Sequence, residues 1–213
     1  GLYLPGPSAA IHLACYGHEP GHPYHTLLHE GTHQFVHLVG GSRAGDRGGR
    51  RVGIPLWLNE GLAVYFEGAL VSPRQLRAGR PAADRLACLQ RALRREKLPD
   101  LETIMKRCYG QSFAPIDYAV AWGVVYALMQ EPPAPWARGG RSWVKGILEQ
   151  SRQGWPGKSH AATLVAGGRE TGGRASPAEI VWREFEHFLE SGGWDVSGWQ
   201  ARWEDWIRLF PGP

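Results

Sequence analysis

Cysteine is scarce: Cys15, Cys88 and Cys108 are the three in 213 residues. Thiols so few and scattered build neither a disulfide framework nor a CxxC zinc site, and an odd count leaves at least one unpaired. The sequence also lacks any run near the roughly 18 uncharged apolar residues of a spanning helix, so no integral membrane segment is expected. Gly1 to Ala10 has neither the basic start nor the apolar core of a signal peptide. No internal repeat is present. A composition of 43% hydrophobic and 21% charged residues excludes a disordered or collagen-like chain.

Acidic charge is short in one stretch. Arg43 to Lys97 holds 12 basic and 5 acidic residues, +7 within a chain whose net charge is +4. These charges lie in a Gly/Arg loop, Gly40 to Gly53, and on a helical pattern from Arg74 to Arg95. Aromatic residues are not interleaved with them as on a nucleic-acid surface. A solvated face explains them, and no nucleic-acid partner is expected. Histidine, by contrast, is concentrated: seven of nine fall between His12 and His37.

Ala9 to Tyr16 reads as a short strand between Pro and Gly signals. Tyr24 to Val39 sets apolar residues among regularly spaced histidines and predicts a helix. Pro55, read as the first helical position, opens a second apolar helix, Leu56 to Leu70. Helices follow over Ala82 to Glu96, Leu101 to Cys108, Ile116 to Met129, Ser142 to Ser151, Pro177 to Leu189 and Ser197 to Leu209. Trp199, Trp203 and Trp206 have the i, i+4, i+7 spacing of a buried helix stripe, a simpler reading than a carbohydrate platform. The fold class expected is α+β, predominantly α, in one domain over residues 1–213. Residues 1–70 supply a β element and two helices, and residues 71–213 a helical subdomain.

The first helix spells His29-Glu30-Gly31-Thr32-His33, an HExxH string. Positions four apart on a helix differ by about 40° and about 6 Å along the axis, so both imidazoles can address one ion. Two neutral imidazoles suit zinc. Glu30, one position after the first imidazole, can flank the ion and take a proton from an activated water. Chance would produce roughly 0.02 such strings in a chain of this composition, so the match is informative.

A third ligand is found in Trp57-Leu58-Asn59-Glu60-Gly61-Leu62 and its apolar continuation to Glu67. A carboxylate on such a face costs several kcal/mol unless paired or coordinated. One zinc ion held by His29, His33 and Glu60 keeps a fourth position open, as catalytic sites do.

HEGTH, with 26 residues between His33 and the Glu60 of WLNEGLAVYFE, resembles the gluzincin zinc metallopeptidases, the zincin group that includes thermolysin and the M1 aminopeptidases. The WLNEG phrase is most similar to the M1 branch and its compact peptidase MA-like relatives. The likeness extends over Tyr24 to Glu67. It implies a zincin-like core, His29, His33 and Glu60 as ligands, Glu30 as general base, and a downstream tyrosine for the oxyanion.

Tyr118 stands on a helix where related enzymes place that tyrosine; it reads equally as a residue packed beside Trp122. Tyr109 and Tyr126 rank below it. Glu67, seven residues after Glu60 and on the same helix face, either orients a ligand imidazole or is a surface residue. Asn59 is the lesser candidate for such orientation. His25 and His37 extend the stripe of His29 and His33 without a role, and His12, His18 and His22 receive none. M1 aminopeptidases grip the substrate amine with a GAMEN-type segment, which this sequence lacks.

The expectation is a zinc-dependent peptidase, an endopeptidase, acting on a peptide or protein. Two alternatives share the site: a zinc-bearing zincin-fold binding module without turnover, and a metal-dependent hydrolase of non-peptide amides or esters. The resemblance favours an extracytoplasmic location. The strand Ala9 to Tyr16 resembles the edge strand on which zincins lay a peptide. One or two strands make too small a sheet, so a chain trimmed upstream is expected. Oligomeric state is not indicated.

Overall fold

The computed structural model describes residues 2–4, 10–12, 22–39, 53–72, 74–130, 135–153, 155 and 175–211. Its centre is the helix α5, Pro115–Gln130, in which every residue from Ala119 to Leu128 is buried. A helix apolar on all sides must be enclosed by other elements, and the rest of the fold encloses it. The predicted helix over Ile116 to Met129 is therefore present and central.

The helix α1 spans His22–Val39 and α2 spans Leu56–Glu67. Pro55 stands at the N-cap of α2, one residue before its expected place, and its carbonyl accepts from Asn59 N–H at 3.1 Å. One face of α2 packs on α5 through Gly61. A Cβ there would come within 2.6 Å of both Ala121 O and Val125 Cγ2, so the missing side chain sets how closely the two axes approach. The opposite side of α2 receives α1.

Gly68 ends α2 three residues earlier than expected. The chain turns there into a hairpin of β3, Leu70–Ser72, and β4, Gln75–Arg77, antiparallel with Leu70 opposite Arg77. Ahead of α1 a second antiparallel pair joins β1, Leu2–Leu4, to β2, Ala10–His12, with Leu2 opposite His12. The strand expected over Ala9 to Tyr16 is thus present at 10–12, and residues 9 and 13–16 lie outside the described residues. So do residues 40–52 of the Gly/Arg loop.

The remaining elements complete the shell. The helix α3, Ala83–Arg94, buries Leu86, Leu89 and Leu93, exposes Arg91 and Arg94 and half-buries Arg85; α4 spans Leu101–Met105. A 3₁₀ turn, Pro135–Ala137, precedes α6, Gly140–Gln153. The helix α7, Pro177–Ser191, starts with a capping box in which Ser176 and Glu179 satisfy each other's backbone N–H. The helix α8, Val196–Leu209, buries Trp199, Trp203 and Ile207 completely. Ile207 takes the place expected for Trp206, which is half-buried and stacks on Tyr126 at 5.7 Å. Trp203 donates its indole N–H to Gly123 O at 3.1 Å, and Trp199 to Trp136 O at 2.9 Å. The fold is α+β and predominantly α. No helix among the described residues is long and apolar enough to cross a membrane.

Candidate metal centre

The site forms where α1 crosses α2. His29 and His33, one turn apart on α1, aim their Nε2 atoms at each other across 3.2 Å. From α2, Glu60 Oε2 comes within 3.7 Å of His29 Nε2 and 3.6 Å of His33 Nε2. Ligands on a tetrahedral zinc with bonds of about 2.0–2.1 Å lie about 3.3–3.4 Å apart. The triangle of donor atoms is within a few tenths of an ångström of that spacing, and its nitrogen, nitrogen, oxygen composition suits a divalent cation. Among the described residues, this is the group of three or more His, Cys, Asp or Glu side chains arranged to hold a metal ion.

The outward nitrogen of each ring is also held. His29 Nδ1 lies 3.1 Å from Glu67 Oε2, and His33 Nδ1 lies 3.1 Å from Asn59 Oδ1. A carboxylate and an amide oxygen only accept, so each Nδ1 carries the proton and donates. Once deprotonated, each Nε2 turns its lone pair toward the triangle. The seven-residue spacing from Glu60 to Glu67 thus places both carboxylates on the α1 side of α2, and Asn59 reaches the second imidazole.

Electrostatics give the same picture. Burial by itself lowers the His29 pKa, but hydrogen bonds and charge from Glu60 and Glu67 outweigh it and push the group up to about 9. Burial raises Glu67, yet its bond to His29, with added charge from His29, Arg85 and His25, brings it below the usual carboxylate range. Two carboxylates on two imidazoles leave a place that favours positive charge, which a proton or a metal cation fills. Glu30, next to His29, is 8% exposed.

Tyr118, on α5, closes another side. Its ring packs edge-on against Phe113 at 4.8 Å, while Trp122 pairs with Tyr126 at 5.1 Å. Its phenol pKa is raised first by burial, then by the charges of Glu60 and Glu30. Its hydroxyl therefore lies in the field of both carboxylates. Tyr126 lies apart from them, its hydroxyl donating to Gly79 O at 3.3 Å.

Tyr109 was ranked low by the sequence, yet its hydroxyl lies within hydrogen-bonding reach of Asn59. Burial of that hydroxyl and the charge of Glu60 push it up to about 12, against the Asn59 bond. The residue as a whole is 58% exposed. Its loop is tied down by Arg107, which donates to Ser112 O at 2.9 Å and to the buried Asp117 carboxylate. Asp117 also accepts from Ala114 N–H at 2.7 Å. The sequence signal for Tyr109 was a tyrosine in a turn just after a helix, which does not reveal where the turn folds.

Arg85 was missed altogether, being read as part of a solvated face. Its guanidinium carbon lies over the Tyr118 ring, 5.7 Å from the centroid. His25 is exposed, and neither it nor His37 belongs to the ligand triangle. His18 lies outside the described residues, as do the side chains of His12 and His22. Beside Glu67 a cavity of about 360 Å³ opens, with Tyr24, His25, Val71, Arg80 and Asp84 in its lining.

No curated protein and no solved structure matches this chain. One family model does, described as a protein of unknown function (DUF1570), over residues 24–136. That stretch runs from the start of α1 to the 3₁₀ turn after α5 and includes every residue of the site. It is more than half of the chain, which therefore belongs to the DUF1570 family.

Proposed function

We propose that the chain is a zinc-dependent peptidase, an endopeptidase, that cleaves peptide bonds in a peptide or protein substrate. The observation that carries this reading is the convergence of His29 Nε2, His33 Nε2 and Glu60 Oε2 with both outward ring nitrogens held. Held rings keep the donor atoms in place before an ion arrives, which is what a preorganised metal site requires. A bound zinc ion would polarise the scissile carbonyl and acidify a water molecule enough for it to act at neutral pH.

The chain's own residues supply the rest. Glu30 is buried on α1 beside His29, on the flank of the ligand triangle. It takes the proton of the attacking water and passes it to the departing amine. Tyr118 presents its hydroxyl from α5 and donates to the carbonyl oxygen as negative charge develops there. Glu67 and Asn59 hold the two imidazoles.

Metal analysis of the purified protein, paired with cleavage of a peptide library with and without chelator, tests this. One zinc per chain and chelator-sensitive cleavage are expected. Glu30→Gln is expected to keep the zinc and lose hydrolysis by roughly 100-fold or more. Zinc without cleavage would point to a binding module, and cleavage of esters or small amides alone to the non-peptide alternative. A protein with no affinity for zinc would sink all three.

A further inference from the structure

Arg85 touches the site without belonging to the ligand triangle. It stands in the first turn of α3, with 27% of its side chain exposed. Its Nε lies 3.5 Å from Asp84, a side chain largely in solvent, and its guanidinium rests on the face of Tyr118. Its charge acts on both the Tyr118 phenol and Glu67, lowering the pKa of each. No hydrogen bond occupies its two Nη groups among the described residues. A guanidinium has five donors in a planar fork that matches a carboxylate. Here the ring beneath orients the fork, and among the described residues no side chain hydrogen-bonds its outer edge.

The segment that carries Arg85 is basic. Residues 70–97, which carry the hairpin and α3, hold eight basic and two acidic side chains. Arg80 lines the cavity beside Glu67, and Arg74 and Arg77 lie on or next to the strands of the adjoining hairpin. A basic rim raises the local concentration of acidic ligands and speeds their arrival. What the sequence presents as a solvated face thus has one member turned into the site.

We propose that Arg85 determines specificity by binding a substrate carboxylate close to the scissile bond, so that the preferred substrates are acidic peptides. This rests on the peptidase reading and specifies its substrate. In an extended peptide each residue advances about 3.3–3.6 Å, so a guanidinium stacked on the tyrosine that would meet the scissile carbonyl addresses a carboxylate within a few residues of that bond. The carboxylate is that of an Asp or Glu side chain, as cleavage of internal bonds requires.

The test uses the full chain as wild type, Arg85→Gln and Arg85→Lys, with Ala-rich hexapeptides carrying Glu or Gln at each position in turn. Each peptide is made with a free and an amidated C-terminus. Wild type is expected to favour one carboxylate-bearing set by roughly tenfold or more in kcat/KM, the scale of a hydrogen-bonded charge. Arg85→Gln is expected to abolish that ratio, and Arg85→Lys to restore part of it, since a lysine keeps the charge without the fork. A preference that holds among amidated peptides identifies the side chain, and one confined to free ends marks recognition of the terminus and overturns the proposal. If Arg85→Gln slows acidic and neutral peptides alike, Arg85 only steadies Tyr118 and Glu67, and the proposal is overturned. A preference that survives in Arg85→Gln, or is missing from wild type, overturns it too.

Calorimetric binding of the same peptides to Glu30→Gln, alone and with Arg85→Gln, separates this from the peptidase reading. Tighter binding of acidic peptides that depends on Arg85 supports the carboxylate site even if nothing is cleaved. Cleavage accompanied by equal binding of acidic and neutral peptides leaves the peptidase standing and removes the role of Arg85.

Discussion

Glu67 reaches back across two turns of helix from Glu60 to meet His29 Nδ1 at 3.1 Å, so one helix supplies both a ligand and the group that orients another ligand. Removing that carboxylate leaves the ring free to rotate and lowers the basicity of Nε2. Glu67→Ala should weaken zinc binding by roughly 10- to 100-fold. Glu67→Gln should cost less, because its amide oxygen still accepts from Nδ1. Competition with a chromogenic chelator measures both. Equal affinities across the three proteins would show that the contact does not orient the ring.

The pH dependence of the metal-free protein follows from the same pair. His29 has a folded pKa raised from 6.5 to about 9, so the stability it contributes is complete below 6.5 and is lost as pH rises through 9. Glu67 is lowered from 4.5, so its contribution is complete above 4.5 and is lost as pH falls through its folded value. Between these arms, urea denaturation in the presence of chelator should find the greatest stability at pH about 5 to 6. Glu67→Ala should flatten the alkaline arm. At pH 7.5 zinc must displace the proton from His29, and calorimetry in buffers of different ionisation enthalpy should record its release.

Gly61 adjoins Glu60 and lies against α5. Gly61→Ala would set its Cβ 2.6 Å from Ala121 O, a backbone atom that cannot swing aside. The helices must separate, at a cost of about 1–3 kcal/mol, and Glu60 moves with α2. Urea denaturation should show the loss, and zinc affinity should fall with it. Unchanged affinity in a destabilised variant would mean that the triangle tolerates the shift.

Tyr118→Phe removes a hydroxyl while leaving the ring on which Phe113 and Arg85 rest. If that hydroxyl acts only as charge develops, kcat should fall roughly 10²- to 10³-fold with KM and zinc content little changed. A rise in KM with unaltered kcat would instead assign Tyr118 to substrate binding.

The long helices were legible because their apolar positions repeat along the chain, and the site because HExxH and the Glu60 helix carry chemistry at fixed spacing. Glu67 and Asn59 were legible for a related reason: seven residues is two helical turns, and one residue is the next position round the helix. The β3–β4 hairpin was not. Its strands are three residues each and wholly exposed, so no alternation of apolar and polar residues marks them. Trp206 was assigned to a stripe that continues through Ile207, because i+7 and i+8 share a face and only the neighbouring Tyr126 decides between them. Tyr109 and Arg85 owe their places to how a turn and a helix dock, which their local sequence does not encode.

The indole of Trp203 has a meaning for anyone dividing this chain. It donates to the carbonyl of Gly123, and a Cβ on that glycine would lie 2.8 Å from its ring. Trp199 binds the carbonyl of Trp136 in the same way. The stretch that matches the family model therefore ends inside the hydrophobic core and not at its edge. Expressed alone, residues 24–136 would present α5 bare along one side, with its carbonyl at Gly123 deprived of a donor. An expression boundary drawn from family membership would cut through the core that holds the metal helices together.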